Sequence, residues 1–274
     1  MNAIAKALPA LPMAAVGLLI GAQPAWAAGG KEPMEFSVGE IFFELNDTDG
    51  DLGIHALIDG DPWKTLTIED LRERKILNVR VSGRLRKQGL TEIFFESAEP
   101  SFDELPPEEF FKRFPAGEYV VKGKKQEGGK LEKDTEITHT MPSPPVPTVN
   151  GYTKVEVCDE EDPDFVPHPN VGFPVTISWP EVKMSHPDPA GGGAGVQPPI
   201  RVKVHNYQVV VEAELEIDGE EFASVLSVIL PPDVTSMTIP TEFIDQPGAD
   251  SFKYEVLVRE ESYNQTAVES CFNI

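Results

Sequence analysis

The chain is poor in cysteine and in positive charge, and after its first 27 residues it has no apolar run long enough to cross a membrane. Two cysteines, Cys158 and Cys271, leave room for a single bridge. With 23 basic against 46 acidic side chains the formal charge is −23, which repels phosphate backbones and anionic lipid surfaces. Nucleic-acid binding and membrane insertion are therefore excluded as expectations, and divalent cations or basic partners are favoured. The five histidines (His55, His139, His168, His186, His205) show no zinc spacing, and no Gly-x-Ser-x-Gly elbow supports a serine hydrolase. Gly191-Gly192-Gly193 lacks the Gly-Lys-Ser/Thr ending of a phosphate loop and leads into Pro198-Pro199. No enzyme activity is expected.

Export signals and turn formers are present instead. Lys6, the apolar run Met13–Ala22 and Ala25-Trp26-Ala27 read as a cleavable signal peptide over 1–27, so the mature protein is expected to be secreted or periplasmic. With 26 prolines and 22 glycines the composition predicts an all-β protein with long loops. At 274 residues, two domains fit better than one.

Period-two alternation runs through Ile41-Phe43-Leu45, Ile54-Ala56-Ile58, Leu66-Ile68, Leu77-Val79-Val81, Ile93-Phe95 and Tyr119-Val121. Turn signals fall at Asp49-Gly50, Asp59-Gly60, Ser82-Gly83 and Gly128-Gly129. These predict an immunoglobulin-like β-sandwich over 36–141. Within it, Pro106-Pro107, two following glutamates and a basic end predict a short helix in 101–114, whose Phe110, Phe111 and Phe114 cap the sandwich or offer a ligand platform. The proline-rich stretch 142–147 reads as a stiff linker holding two domains apart, the second over 148–274.

The candidate chemistry is acidic. Asp47, Asp49 and Asp51 alternate around Gly50, and a bent run of aspartates can offer several oxygens to a hard cation such as calcium. Asp59 and Asp61 add ligands if the two turns share one end of the sandwich. An ordinary acidic turn is the competing reading. An EF-hand is excluded, because Leu52 and Ile58 stand where it needs glycine and glutamate. Asn46-Asp47-Thr48 and Asn264-Gln265-Thr266 fit the N-glycosylation pattern.

In the second half, Phe173-Val175-Ile177-Trp179, Tyr207-Val209-Val211-Ala213 and Phe252-Tyr254-Val256-Val258 alternate inward. Over 148–274 this resembles a fibronectin type III domain. Trp179 matches that family's core tryptophan, Tyr207 its third-strand tyrosine and Tyr254 its tyrosine-corner position. The long loop Pro180–Pro199 and the acidic excursion Asp159–Asp164 depart from the pattern, and no Arg-Gly-Asp is present. The stretch Glu44–Lys64 also resembles the N-terminal module of exported bacterial proteins that pair it with a fibronectin type III domain, which implies architecture and no activity. In such a sandwich the first and last strands run close, so Cys158 and Cys271 either bond or stay as two buried thiols. The expected function is extracellular or periplasmic interaction with a protein or a surface polysaccharide, with calcium as a stabiliser. The alternatives are a carbohydrate-binding module using Trp63, Phe110 and Phe111, or a purely structural spacer.

Overall fold

The computed structural model describes residues 33–159, 162–187, 199–217 and 220–274. The expected signal peptide, the triple-glycine run and part of the acidic excursion lie outside the described residues. Among the described residues the protein is an all-β sandwich structure, and no helix is long and apolar enough to cross a membrane.

The first half is organised by one long strand. β1 (Met34–Glu35) leads into β2 (Val38–Asn46), which forms a hairpin with β3 (Asp51–Asp70). Gly50 takes the positive φ of 67° that the turn needs. Ile41, Phe43 and Leu45 point inward against Ile54, Ala56 and Ile58, as their alternation requires.

β3 does not end at Asp59-Gly60, where a turn was expected; it continues through an irregularity between Asp59 and Trp63. Before that point β3 pairs with β2 and with β5 (Leu90–Glu96). After it, β3 pairs with β4 (Lys75–Arg80) and β6 (Gly117–Lys125). Glycine stands at 60 for closeness: a β-carbon there would come 2.8 Å from the Phe36 ring, which is fully buried under the bend. β7 (Lys130–Ile137) pairs with β6 and β1. The short α1 (Leu85–Gln88) precedes β5, and α2 (Pro107–Arg113) starts at the expected Pro107. Phe110 and Phe111 close one end of the core, each about 5.5 Å from the Phe43 ring (5.5 and 5.4 Å).

The second half packs two sheets around its own core. β8 (Thr148–Val149), β9 (Tyr152–Thr153), β10 (Thr176–Ser178) and β13 (Ser236–Thr238) form the small sheet in the order β13-β10-β8-β9. Opposite lie β11 (Val204–Ile217), β12 (Glu220–Leu230), β14 (Ser251–Glu260) and β15 (Gln265–Asn273), in the order β12-β11-β14-β15. The one-turn α3 (Thr241–Ile244) precedes β14. Val175, Ile177, Trp179, Tyr207 and Val209 fill the space between the sheets. Phe173 does not join them: the strand begins only at Thr176, and Phe173 is 50% exposed. Cys158 and Cys271 are bonded, with 5.8 Å between their Cα atoms.

The halves meet in one sheet. β15 pairs in parallel with β2, Gln265 opposite Glu44, Thr266 opposite Leu45 and Ala267 opposite Asn46, so the large sheet runs through both cores. Asn264 fixes this seam. Its Oδ1 accepts from Phe43 N at 2.8 Å, and its Nδ2 donates to Thr138 O and Thr140 O, both at 3.0 Å. The proline segment 142–147 does not hold the halves apart as a free spacer. Pro142, Pro145 and Pro147 are buried, and the Thr266 hydroxyl donates to Pro142 O at 2.7 Å.

Candidate functional site: the acidic face across the seam

Alternation along the strands puts a second set of side chains on the outer face of the shared sheet. Phe94 and Glu96 come from β5, His55 from β3, Phe42 and Glu44 from β2, Gln265 and Glu269 from β15, Lys253 to Arg259 at odd positions from β14, and Val210 from β11. Eleven of these strands' residues line a groove of about 330 Å³, including Glu44, His55, Glu96, Glu255 and Arg259.

Its geometry is a polar chain between aromatic walls. Arg259 stacks 4.6 Å from the centre of the Phe42 ring and donates through Nε and Nη2 to Gln265 Oε1 at 2.8 and 2.6 Å. Gln265 donates in turn to Glu44. The other side of Glu44 faces His55 Nδ1 at 3.6 Å, and His55 Nε2 lies 2.8 Å from Glu99 Oε1. His55 is only 3% exposed and sits between the rings of Phe42 (5.4 Å) and Phe94 (6.0 Å). Glu99 reaches it by lying over Gly53, where any β-carbon would collide with the carboxylate.

Too many carboxylates share this face for all to ionise easily. Burial raises Glu44, and Glu99 and Glu96 add repulsion against the opposing pull of His55 and Gln265. Burial, then Glu44 and Glu269, push Glu255 up to about 8, so it is mostly protonated at neutral pH. Asp51, at one end of the face, is pushed to about 6 by burial and then by Glu99, Asp49, Glu269 and Glu44. For His55, burial acts to lower the pKa, but the Glu99 hydrogen bond and the surrounding glutamates outweigh it and leave it raised.

The five aspartates singled out in the sequence do not come together. Asp47 contacts His186 Nε2 at 3.0 Å and Asp49 accepts from Asn46 at 3.0 Å. Asp51 has one buried oxygen with no hydrogen-bond partner. Asp59 and Asp61 lie at the far end of the hairpin, eight residue pairs away, or roughly 26 Å at the usual strand rise. There Asp59 accepts from Ser37 at 2.7 Å and Asp61 pairs with Lys125 at 2.5 Å. Among the described residues, only His55, Glu96 and Glu99 bring three potential ligand atoms within 4.8 Å of one another.

The aromatic platform is also displaced. Trp63 is fully buried, and Phe110 and Phe111 are 3% and 5% exposed, so none can stack on a sugar. Asn264, in its Asn-x-Thr pattern, is 1% exposed with its amide engaged on both sides. A larger groove, about 660 Å³, lies at the junction between Ser37–Glu40 and Arg201–Lys203. Its charges are of both signs: Lys203 pairs with Glu261, and the Glu260 carboxylate accepts from Ser262 N at 2.9 Å. The converging, mutually perturbed groups are on the outer face.

No protein-family model and no curated protein matches the chain. Among solved structures it is similar to a segment of a 1.5-MDa bacterial ice-binding adhesin (11% identity, TM-score 0.21, 88% of this chain and 65% of that one). It is similar also to the BSP domain of a biofilm-associated protein (9% identity, TM-score 0.24, 86% and 29%). A third match is a Ca2+-stabilized adhesin by which an Antarctic bacterium binds ice (12% identity, TM-score 0.20, 86% and 49%). The chain thus spans less than two thirds of each of these chains, and at such TM-scores nothing about its chemistry follows from them.

Sequence reasoning missed the face because its members are far apart. Glu44 and Gln265 are neighbours in the sheet but 221 residues apart in the chain. The available signal was local: Phe42, Glu44, His55, Phe94 and Glu96 occupy the outward positions of strands whose inward positions are strongly apolar.

Proposed function

We propose that the protein is an exported, non-catalytic interaction module whose binding surface is the acidic, aromatic-walled face across the seam, and that its partner is a protein segment rich in lysine or arginine. The observation that carries this is the convergence of Glu44, Glu96 and Glu255 on one open groove, with Glu99 beside it on His55, and the raised pKa values of Glu44 and Glu255. A cationic side chain brought there relieves carboxylate repulsion that the fold otherwise bears, and it stacks against Phe94, which is 55% exposed. The bonded cysteines and the net charge support a place outside the cytoplasm, secreted or periplasmic. We assign the second half to the fibronectin type III type, on the support of its two facing sheets, β13-β10-β8-β9 against β12-β11-β14-β15. The first half is read as immunoglobulin-like, supported by a tyrosine corner: Tyr119 donates to Pro115 O at 2.7 Å just after α2.

Two charge-matched double variants test the surface. Glu96→Gln/Glu99→Gln alters the face, while Glu108→Gln/Glu109→Gln removes the same charge from the exposed side of α2. Binding of a hexalysine peptide, followed by calorimetry at low salt, is expected to weaken roughly tenfold in the first variant only. Equal loss in both would mean that net charge alone attracts the peptide, and no binding at all would favour a structural spacer.

One observation favours calcium as a second reading: the unpartnered oxygen of Asp51, close to Asp49, Glu99 and Glu269. As placed, these four carboxylates do not converge within ligand distance, so a bound ion would have to draw them together around Asp51. Millimolar calcium should raise the melting temperature relative to chelator, and Asp51→Asn should abolish the rise. An unchanged melting temperature removes the ion from the account.

A further inference from the structure

β12 is a sheet edge without protection. Among the described residues it pairs only with β11, in unbroken register from Tyr207↔Leu230 to Ile217↔Glu220. Its outer side therefore presents a row of unpaired backbone groups. Natural edges are blunted by shortness, charge, proline or a bulge, and the other edges here follow that rule. β1 and β9 have two residues, β13 has three, and β4 and β5 carry lysine, arginine or glutamate. β12 has eleven residues, and Phe222–Leu230 (FASVLSVIL) contains no charge, no proline and no bulge. Phe222, Val225 and Ile229 are 55%, 56% and 66% exposed.

We propose that this edge pairs antiparallel with β12 of a second copy, making a two-fold dimer with one sheet running through both protomers. The sequence fits itself. Pairing all nine uncharged residues puts Leu226 on the axis, with Phe222 opposite Leu230, Ala223 opposite Ile229, Ser224 opposite Val228 and Val225 opposite Ser227. Away from the axis and the Phe222–Leu230 end pair, each larger side chain meets a small one. The first glutamate, Glu221, falls opposite the partner's Pro231, so no like charges face each other across the new ladder. In a chain with a formal charge of −23, this neutral stretch is where a second copy meets least repulsion along the edge. Antiparallel strands in one sheet are related by an axis perpendicular to it, so both copies present their seam faces on the same side. Such a dimer offers two grooves to a polymeric or surface-bound partner. The dimer itself does not depend on what the grooves bind.

The test is the solution mass of the chain from residue 28, by sedimentation at micromolar to hundred-micromolar concentration. A dimer is expected, strengthened by salt as the overall repulsion is screened. Val225→Glu should return it to monomer, while Leu71→Glu, the same change at a 67% exposed turn position, should leave the dimer intact. Leu226→Cys should form a covalent dimer on mild oxidation, since axis residues lie within disulfide reach, and Leu230→Cys should not. A monomer throughout, a dimer indifferent to Val225→Glu, or crosslinking through residue 230 instead of 226 overturns the proposal. None of these outcomes depends on hexalysine binding, so the dimer and the binding face stand or fall separately.

Discussion

Asn264 shows how much one side chain can decide. It is 1% exposed and serves Phe43 N, Thr138 O and Thr140 O, which belong to the other half of the molecule. Replacing it with alanine strands these buried groups, and we expect a loss of about 2–3 kcal/mol in denaturant unfolding. Glu255 makes a pH prediction. Its folded pKa of about 8 lies above its ordinary value of 4.5, so the folded state holds the proton more tightly. Stability is then highest below about 4.5 as far as this group is concerned, and falls as pH rises through 8. Glu255→Gln should flatten that fall, gaining stability relative to wild type at pH 9 and not at pH 5. Parallel pH curves for the two proteins would contradict the assignment. Core residues such as Trp179 and Tyr207 were legible from alternation. The face was not, because the spacing that joins Glu44 to Glu255 exists only across strands.

At the scale of elements, α2 was the clearest in sequence: Pro107 at its start, Glu108 and Glu109 in its first turn and Lys112 and Arg113 in its last all obey helix-end chemistry. β3 was the least legible. Asp59-Gly60 carries turn residues, yet β3 continues through them with a register irregularity, and Phe36 packs where Gly60 has no β-carbon. The same ring also rests on Gly123, where a β-carbon would come within 2.7 Å. We expect Gly60→Ala to cost about 1–3 kcal/mol by displacing Phe36, as overpacked cores do. If Gly60→Ala is neutral or stabilising, as an ordinary turn glycine replaced without strain can be, the close-approach explanation fails. The tyrosine corner gives a similar contrast: Tyr119 makes that bond, while the buried hydroxyl of Tyr254, where the family resemblance placed it, faces the Ser270 side chain on the neighbouring strand.

At the scale of the molecule, the all-β class and the two apolar cores followed from alternation and turn residues. Their union did not. The β2–β15 pairing is parallel and spans more than two hundred residues, and nothing in either strand taken alone names the other. The consequence is that residues 33–274 form one compact unit and that the acidic face belongs to both cores. Trp63 and Trp179 lie one in each core, which makes them separate reporters. The most direct measurement is urea unfolding of the chain from residue 28 in Trp63→Phe and Trp179→Phe variants, each followed by tryptophan fluorescence and far-ultraviolet circular dichroism. The seam predicts that the two signals coincide within each variant, whichever core carries the reporter. A fluorescence midpoint that separates from the dichroism midpoint would show the halves unfolding independently, and the shared face would lose its foundation.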